Sequence, residues 1–116
     1  MKKTFLILIF ICFFSCEAIF EEDLSNDVVT VLAPTESSEV NAGNIRFSWQ
    51  SLEDATSYQI QIATPNFENA SQILLDSIIE TTSIIDSLRV GTYQWRLRAI
   101  NTSYQTPYNT INFTVN

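Results

Sequence analysis

From residue 28 onward, apolar and polar residues alternate in short runs separated by turn formers, and no window carries the 3.6-residue period of a useful amphipathic helix. "VVTVLAP" reads as a first strand ended by Pro34. "IRFSWQ" sets Ile45, Phe47 and Trp49 on one face against Arg46 and Ser48 on the other. "SYQIQIA" repeats the device, with Tyr58, Ile60 and Ile62 inward and Gln59 and Gln61 outward. "QILLDSII" and "TSIID" are less regular but rich in β-branched residues, which favour strands. "TYQWRLRAI" puts Tyr93, Trp95, Leu97 and Ala99 opposite Gln94, Arg96 and Arg98, and "NTINFTVN" closes with Ile111, Phe113 and Val115 inward.

Seven short strands spaced near ten residues, each with one apolar face, predict an all-β, antiparallel two-sheet sandwich, because a single open sheet would leave those faces in water. The tryptophans, one on the second run and one on the sixth, are expected to meet across the core, where large rings bury the most area.

The N-terminus follows a different rule. Lys2 and Lys3 precede ten apolar residues, 5–14, which is half the length of about 20 that a spanning helix needs. Two lysines, a short apolar core and the small Ser15 are the pattern of a signal peptide, which assigns residues 1–15 to processing. Phe13, Phe14, Ser15 and Cys16 resemble the lipobox of bacterial lipoproteins, with Phe13 where that family usually has leucine. The resemblance implies acylation of Cys16 as the first mature residue. Removal of residues 1–15 also removes Cys12, so Cys16 has no disulfide partner, and thioether lipidation explains a lone thiol in an exported chain.

Residues 16–27 then read as a lipidated acidic tether: "EAIFEEDLSND" holds five acids and shows no helix or strand period. Acids directly after the lipidated cysteine resemble the export signal of Bacteroidetes lipoproteins. That implies a bacterial outer-membrane location and display at the cell surface. Without Lys2 and Lys3, four of the six basic residues face 13 acidic ones, a net charge of −9. Phosphate contacts need clustered Lys and Arg, so nucleic acid is excluded as a partner, and membrane attachment falls to the lipid.

Within residues 28–116, "VLAPTESSEV", "IRFSWQSLEDATSYQIQIA" and "SLRVGTYQWRLRAIN" resemble the fibronectin type III-like domains of bacterial surface lipoproteins. The shared elements are Trp49 ending the second strand, Ala55 and Tyr58 leading into the third, and the series from Leu88 through Gly91, Tyr93 and Trp95 to Ala99. The resemblance implies a seven-stranded immunoglobulin/fibronectin type III-like sandwich. It also implies a tyrosine corner at Tyr93, whose hydroxyl would bond upstream backbone, although the chain is one residue shorter there than in many members.

Catalytic chemistry lacks its parts. There is no histidine, and Cys16 is expected to be blocked, so nucleophilic triads, thiol catalysis and the usual zinc sites have no basis. Glu53 and Asp54 are the one adjacent acid pair of the domain and fall in a turn, and no spaced oxygen-ligand loop for calcium joins them or Glu80. Gly43 and Gly91 are the only glycines, too few for a phosphate-cradling loop. No cofactor, no metal and no enzymatic activity are expected.

Two surfaces remain as binding candidates. Arg96 and Arg98 point outward beside Gln94, Gln59 and Gln61, a face suited to an anionic or polar partner. Phe67, Tyr104 and Tyr108 sit in turns, where exposed rings can stack on sugars or anchor a protein. Counted from the tether, the turn of Phe67 is the third and lies at the far pole, whereas Tyr104 and Tyr108, in the sixth, lie beside the tether. "DSI" at Asp76 and "DSL" at Asp86 resemble the O-glycosylation acceptor of Bacteroidetes exported proteins, with Ser77 and Ser87 as acceptors. The expected function is a lipid-anchored, non-enzymatic binding or structural accessory, with an envelope protein complex or a glycan as its expected partner; the alternative is a carbohydrate-binding protein that captures glycans.

Overall fold

A computed structural model of the protein describes residues 22–116. The expected signal segment and Cys16 lie outside these described residues.

The chain forms eight strands and no helix among the described residues: β1 (Val31–Ala33), β2 (Ser38–Val40), β3 (Gly43–Trp49), β4 (Ser57–Thr64), β5 (Gln72–Ile79), β6 (Ser83–Leu88), β7 (Gly91–Ile100) and β8 (Asn109–Val115). Strands β1, β3 and β6 make one sheet, and β2, β8, β7, β4 and β5 make the other in that order. The expected sandwich is therefore present, with one more strand than the pattern predicted.

The added strand is β2. After β1 the chain crosses between the sheets, Ser37 takes a positive φ of 63°, and residues 38–40 pair with 113–115 of β8. This pair is parallel, in contrast to the otherwise antiparallel sheets, because the chain passes from one sheet to the other without reversing. Three residues with a single apolar position carry no readable period, so only the free side of β8 makes this a strand.

All thirteen strand residues expected to face inward from the second, third, sixth and seventh runs are buried, Trp95, Phe47 and Ile60 completely. The core is aromatic and joins the two sheets: Phe47 of β3 meets Trp95 at 5.1 Å and Phe113 at 5.8 Å between ring centroids, both edge to face. Trp49 packs on Tyr58 at 5.7 Å and on Trp95 at 6.3 Å, so the tryptophans do meet. Edge-to-face pairs at such distances contribute about 0.5–1.5 kcal/mol each beyond area burial. The Trp95 indole N–H donates to the Pro34 carbonyl at 3.1 Å in the crossover between β1 and β2, whereas the buried Trp49 indole N–H has no protein acceptor.

Two local expectations resolve differently. The Tyr93 hydroxyl donates to the Arg89 carbonyl at 2.8 Å, so the tyrosine corner forms despite the shorter connection. The expected boundary between tether and domain at residue 28 moves toward the N-terminus. Leu24 is fully buried in the core, and the Glu22 carbonyl accepts from Asn101 Nδ2 at 2.9 Å. An isolated leucine among acids has no periodicity to reveal it; only its packing into the core cluster does.

Candidate binding face

Alternation along β7 turns Gln94, Arg96 and Arg98 to the outer face of the five-stranded sheet while Trp95 and Leu97 fill the core. Register then sets Arg96 between Gln61 of β4 and Thr110 of β8, and Arg98 beside Gln59 of β4. Each guanidinium is clamped by its glutamine. Arg96 Nε donates to Gln61 Oε1 at 2.6 Å, and Arg98 donates to Gln59 Oε1 from Nε at 3.0 Å and from Nη2 at 2.6 Å. The other end of the Gln59 amide donates to Asp76 Oδ1 at 3.0 Å.

Rings cover the arginines from both neighbouring directions. The Phe67 backbone N–H donates to Gln94 Oε1 at 2.9 Å, which draws the turn between β4 and β5 down onto the sheet. Its ring centroid then lies 4.1 Å from the Arg96 guanidinium carbon, and that of Tyr108 lies 4.3 Å away. Tyr108 also lies 4.5 Å from the Arg98 guanidinium carbon. A cation held over a ring face gains about 0.5–1 kcal/mol where solvent still reaches it. Arg96 is thus held by two rings and one amide, and among the described residues neither Arg96 nor Arg98 forms an ion pair.

Carboxylates stand to either side. Asp76 lies on β5, across from Gln61, and engages Gln59. Glu36 lies beyond β8, where it accepts from the Asn112 backbone N–H at 3.0 Å and from Asn112 Nδ2 at 3.1 Å. These bonds, the backbone one foremost, hold the Glu36 carboxyl below its ordinary range. Asn112 Oδ1 in turn accepts from Gln94 Nε2 at 2.9 Å, so the flank and the face form one network.

The structure therefore unites four of the residues that the sequence singled out, Phe67, Tyr108, Arg96 and Arg98, and leaves Tyr104 apart. Tyr104, 38% exposed, is the most open of the three turn rings and borders a shallow pocket of about 410 Å³ with Ser25 and Asn101. Asn101 organises that loop: its Oδ1 accepts from the Ser103 and Tyr104 backbone N–H groups and its Nδ2 reaches Glu22. Tyr104 thus lies beside the start of the domain, as turn counting ordered it. The turn of Phe67 follows β4 beside the start of β7, at the opposite end of the sheet from Tyr104, and its ring folds back onto the sheet, where it shares Arg96 with Tyr108. The meeting of Tyr108 with Arg98 was readable in principle, since the β7–β8 register extended by one residue sets them opposite. The fold of the Phe67 turn was not.

The remaining candidates are scattered. Ser77 lies on β5 opposite the buried Ile60 and is half-buried, whereas Ser87 on β6 is exposed opposite Asn44. Glu53 and Asp54 are exposed in the turn between β3 and β4, Asp54 with a positive φ of 71°. No group of three or more potential metal-ligating side chains gathers among the described residues.

No family model matches the chain, and no curated protein matches it. Several solved structures do. The fibronectin(III)-like modules of CbhA from Clostridium thermocellum superpose with a TM-score of 0.55 at 10% identity, over 76% of this chain and 95% of theirs. The fibronectin type III domain derived from human KIAA0970 protein gives 0.53 at 16% identity, over 79% of this chain and 74% of its own. CopC from Methylosinus trichosporium OB3b gives 0.51 at 13% identity, over 76% and 93%. At such identities the likeness is one of fold, and the fold is a single fibronectin type III-like sandwich.

Proposed function

We propose that this protein is a lipid-anchored module of the bacterial outer membrane, attached through Cys16, that works as a non-enzymatic binding accessory in the cell envelope. The working surface is the outer face of the five-stranded sheet. One observation carries this reading: Arg96 and Arg98 are held by rings and amides and, among the described residues, spend none of their charge on a carboxylate, in a chain rich in acids. A surface needed only for solubility would be expected to pair its scarce cations with its abundant acids. Pre-positioned charge left without a counterion lowers the ordering cost of binding a partner.

The sequence supports the anchor: a short apolar leader, a single thiol after it, and acids in place of a basic membrane-binding patch. Glycan capture needs open ring faces, and Phe67 and Tyr108 each give one face to Arg96.

The test is a photo-crosslinking amino acid placed at Thr110, an exposed residue opposite Arg96, with Ile85 on the opposite sheet as the comparison. In native membranes the Thr110 position should capture a discrete partner and the Ile85 position should not. Equal capture at both, or none at Thr110, refutes the binding face. Labelled palmitate that is retained in Cys16→Ser refutes the anchor.

A further inference from the structure

We propose that the face takes an extended acidic peptide segment of a partner protein, running along β7 with carboxylates at alternate positions on Arg96 and Arg98. This rests on the binding-face reading above and adds the chemistry of the partner.

The first argument counts donors. A guanidinium has five N–H groups. Arg96 spends one on Gln61, and Arg98 spends one from Nε and one from Nη2 on Gln59. Among the described residues four remain without a partner on Arg96 and three on Arg98, enough for a forked contact to a carboxylate on each.

The second is spacing. Arg96 and Arg98 are alternate residues of one strand, so their stems are separated by about 6.6–6.8 Å. An extended peptide repeats its same-side carboxylates at that interval. Two carboxylates adjacent in sequence point to opposite sides of an extended chain and cannot serve both arginines.

The third is confinement. Asp76 bounds the face on the β5 side and Glu36 on the β8 side, each held by its own hydrogen bonds. A ligand whose charge extends sideways across the sheet meets one of these carboxylates, whereas one aligned with β7 passes between them. The same fence disfavours long polyanions and anionic bilayers, which would also confront a domain carrying far more acids than bases. At physiological salt the screening length is about 8 Å, so the two arginines dominate locally over distant acids.

The test uses the lipidated protein in nonionic detergent and fluorescent peptides in which Glu and Thr alternate. Peptides of identical composition with paired Glu residues, inorganic phosphate, polygalacturonate and phosphatidylglycerol vesicles serve as comparisons. The alternating peptide should bind, with affinity falling as salt rises, and Arg96→Gln or Arg98→Gln should weaken it by about tenfold or more. Arg96→Lys, which keeps the charge but loses the fork, should weaken it severalfold. Thr110→Glu, which leaves both arginines in place, should act in the same direction. Equal affinity for the paired-Glu peptide, tighter binding of polygalacturonate or vesicles, or indifference to all four substitutions overturns the proposal, as does no binding. Should the peptides fail while Thr110 crosslinks persist, the acidic partner is wrong and the binding face stands. Loss of the crosslinks removes both.

Discussion

The two core tryptophans should respond unequally to the same substitution. Trp95 donates its indole N–H to the Pro34 carbonyl at 3.1 Å, whereas the Trp49 N–H is buried without a protein acceptor. Replacement by phenylalanine removes similar volume from each site, a packing loss of about 1–2 kcal/mol. At Trp95 the change also strands the Pro34 carbonyl, adding about 1–3 kcal/mol. At Trp49 it deletes a donor whose burial already costs about 1–3 kcal/mol, which offsets the packing loss. Trp95→Phe should thus destabilise by about 2–5 kcal/mol, and Trp49→Phe should stay within about 1 kcal/mol of the parent. For a domain of this size a gap of 2 kcal/mol corresponds to about 8–16 °C in Tm. Thermal melts followed by far-ultraviolet circular dichroism read it directly. Equal losses, or a larger loss at Trp49, would refute the assignment of one satisfied and one orphaned indole.

Other consequences are as direct. Tyr93→Phe removes the hydroxyl that bonds Arg89, and urea unfolding should show a loss of about 1–2 kcal/mol with the denaturant slope unchanged. Gly43 holds a φ of 120° with open space where a Cβ would stand, so Gly43→Ala should lower stability by about 1–2 kcal/mol through backbone strain alone. The Glu36 carboxyl titrates lower in the folded chain than its ordinary value of 4.5, so its contribution is present above that value and fades as pH falls through the folded one. Glu36→Gln should therefore flatten the acid side of a Tm-against-pH curve below about pH 5 and leave its neutral side nearly parallel to the parent. An unchanged acid limb would contradict the link from Glu36 to Asn112.

The strands that could be read from the chain were those with one face in the core and one in water. Along β3, β4, β7 and β8 that division forces a period of two, and every inward residue named from the pattern is buried. β5 was less regular because it is an edge strand with a bulge between Ile62 and Ala63 of its partner, so Ile73 and Ile78 stay half or more exposed despite their apolar character. β2 and Leu24 were invisible for a related reason: each contributes one apolar residue, and one residue has no period.

The candidate face divides the same way. Local alternation determined that Arg96 and Arg98 point outward beside Gln59 and Gln61, because their neighbours Trp95 and Leu97 must be buried. Local sequence also determined the short apolar run of residues 5–14 and the cysteine at position 16 that follows it. Only the tertiary structure decided that Phe67, 29 positions before Arg96, and Tyr108, 12 positions after it, close on the same guanidinium. The Tyr108 side follows from the register of the β7–β8 hairpin, but the Phe67 side depends on a turn drawn onto the sheet by Gln94, a contact 27 positions away that no run of adjacent residues encodes.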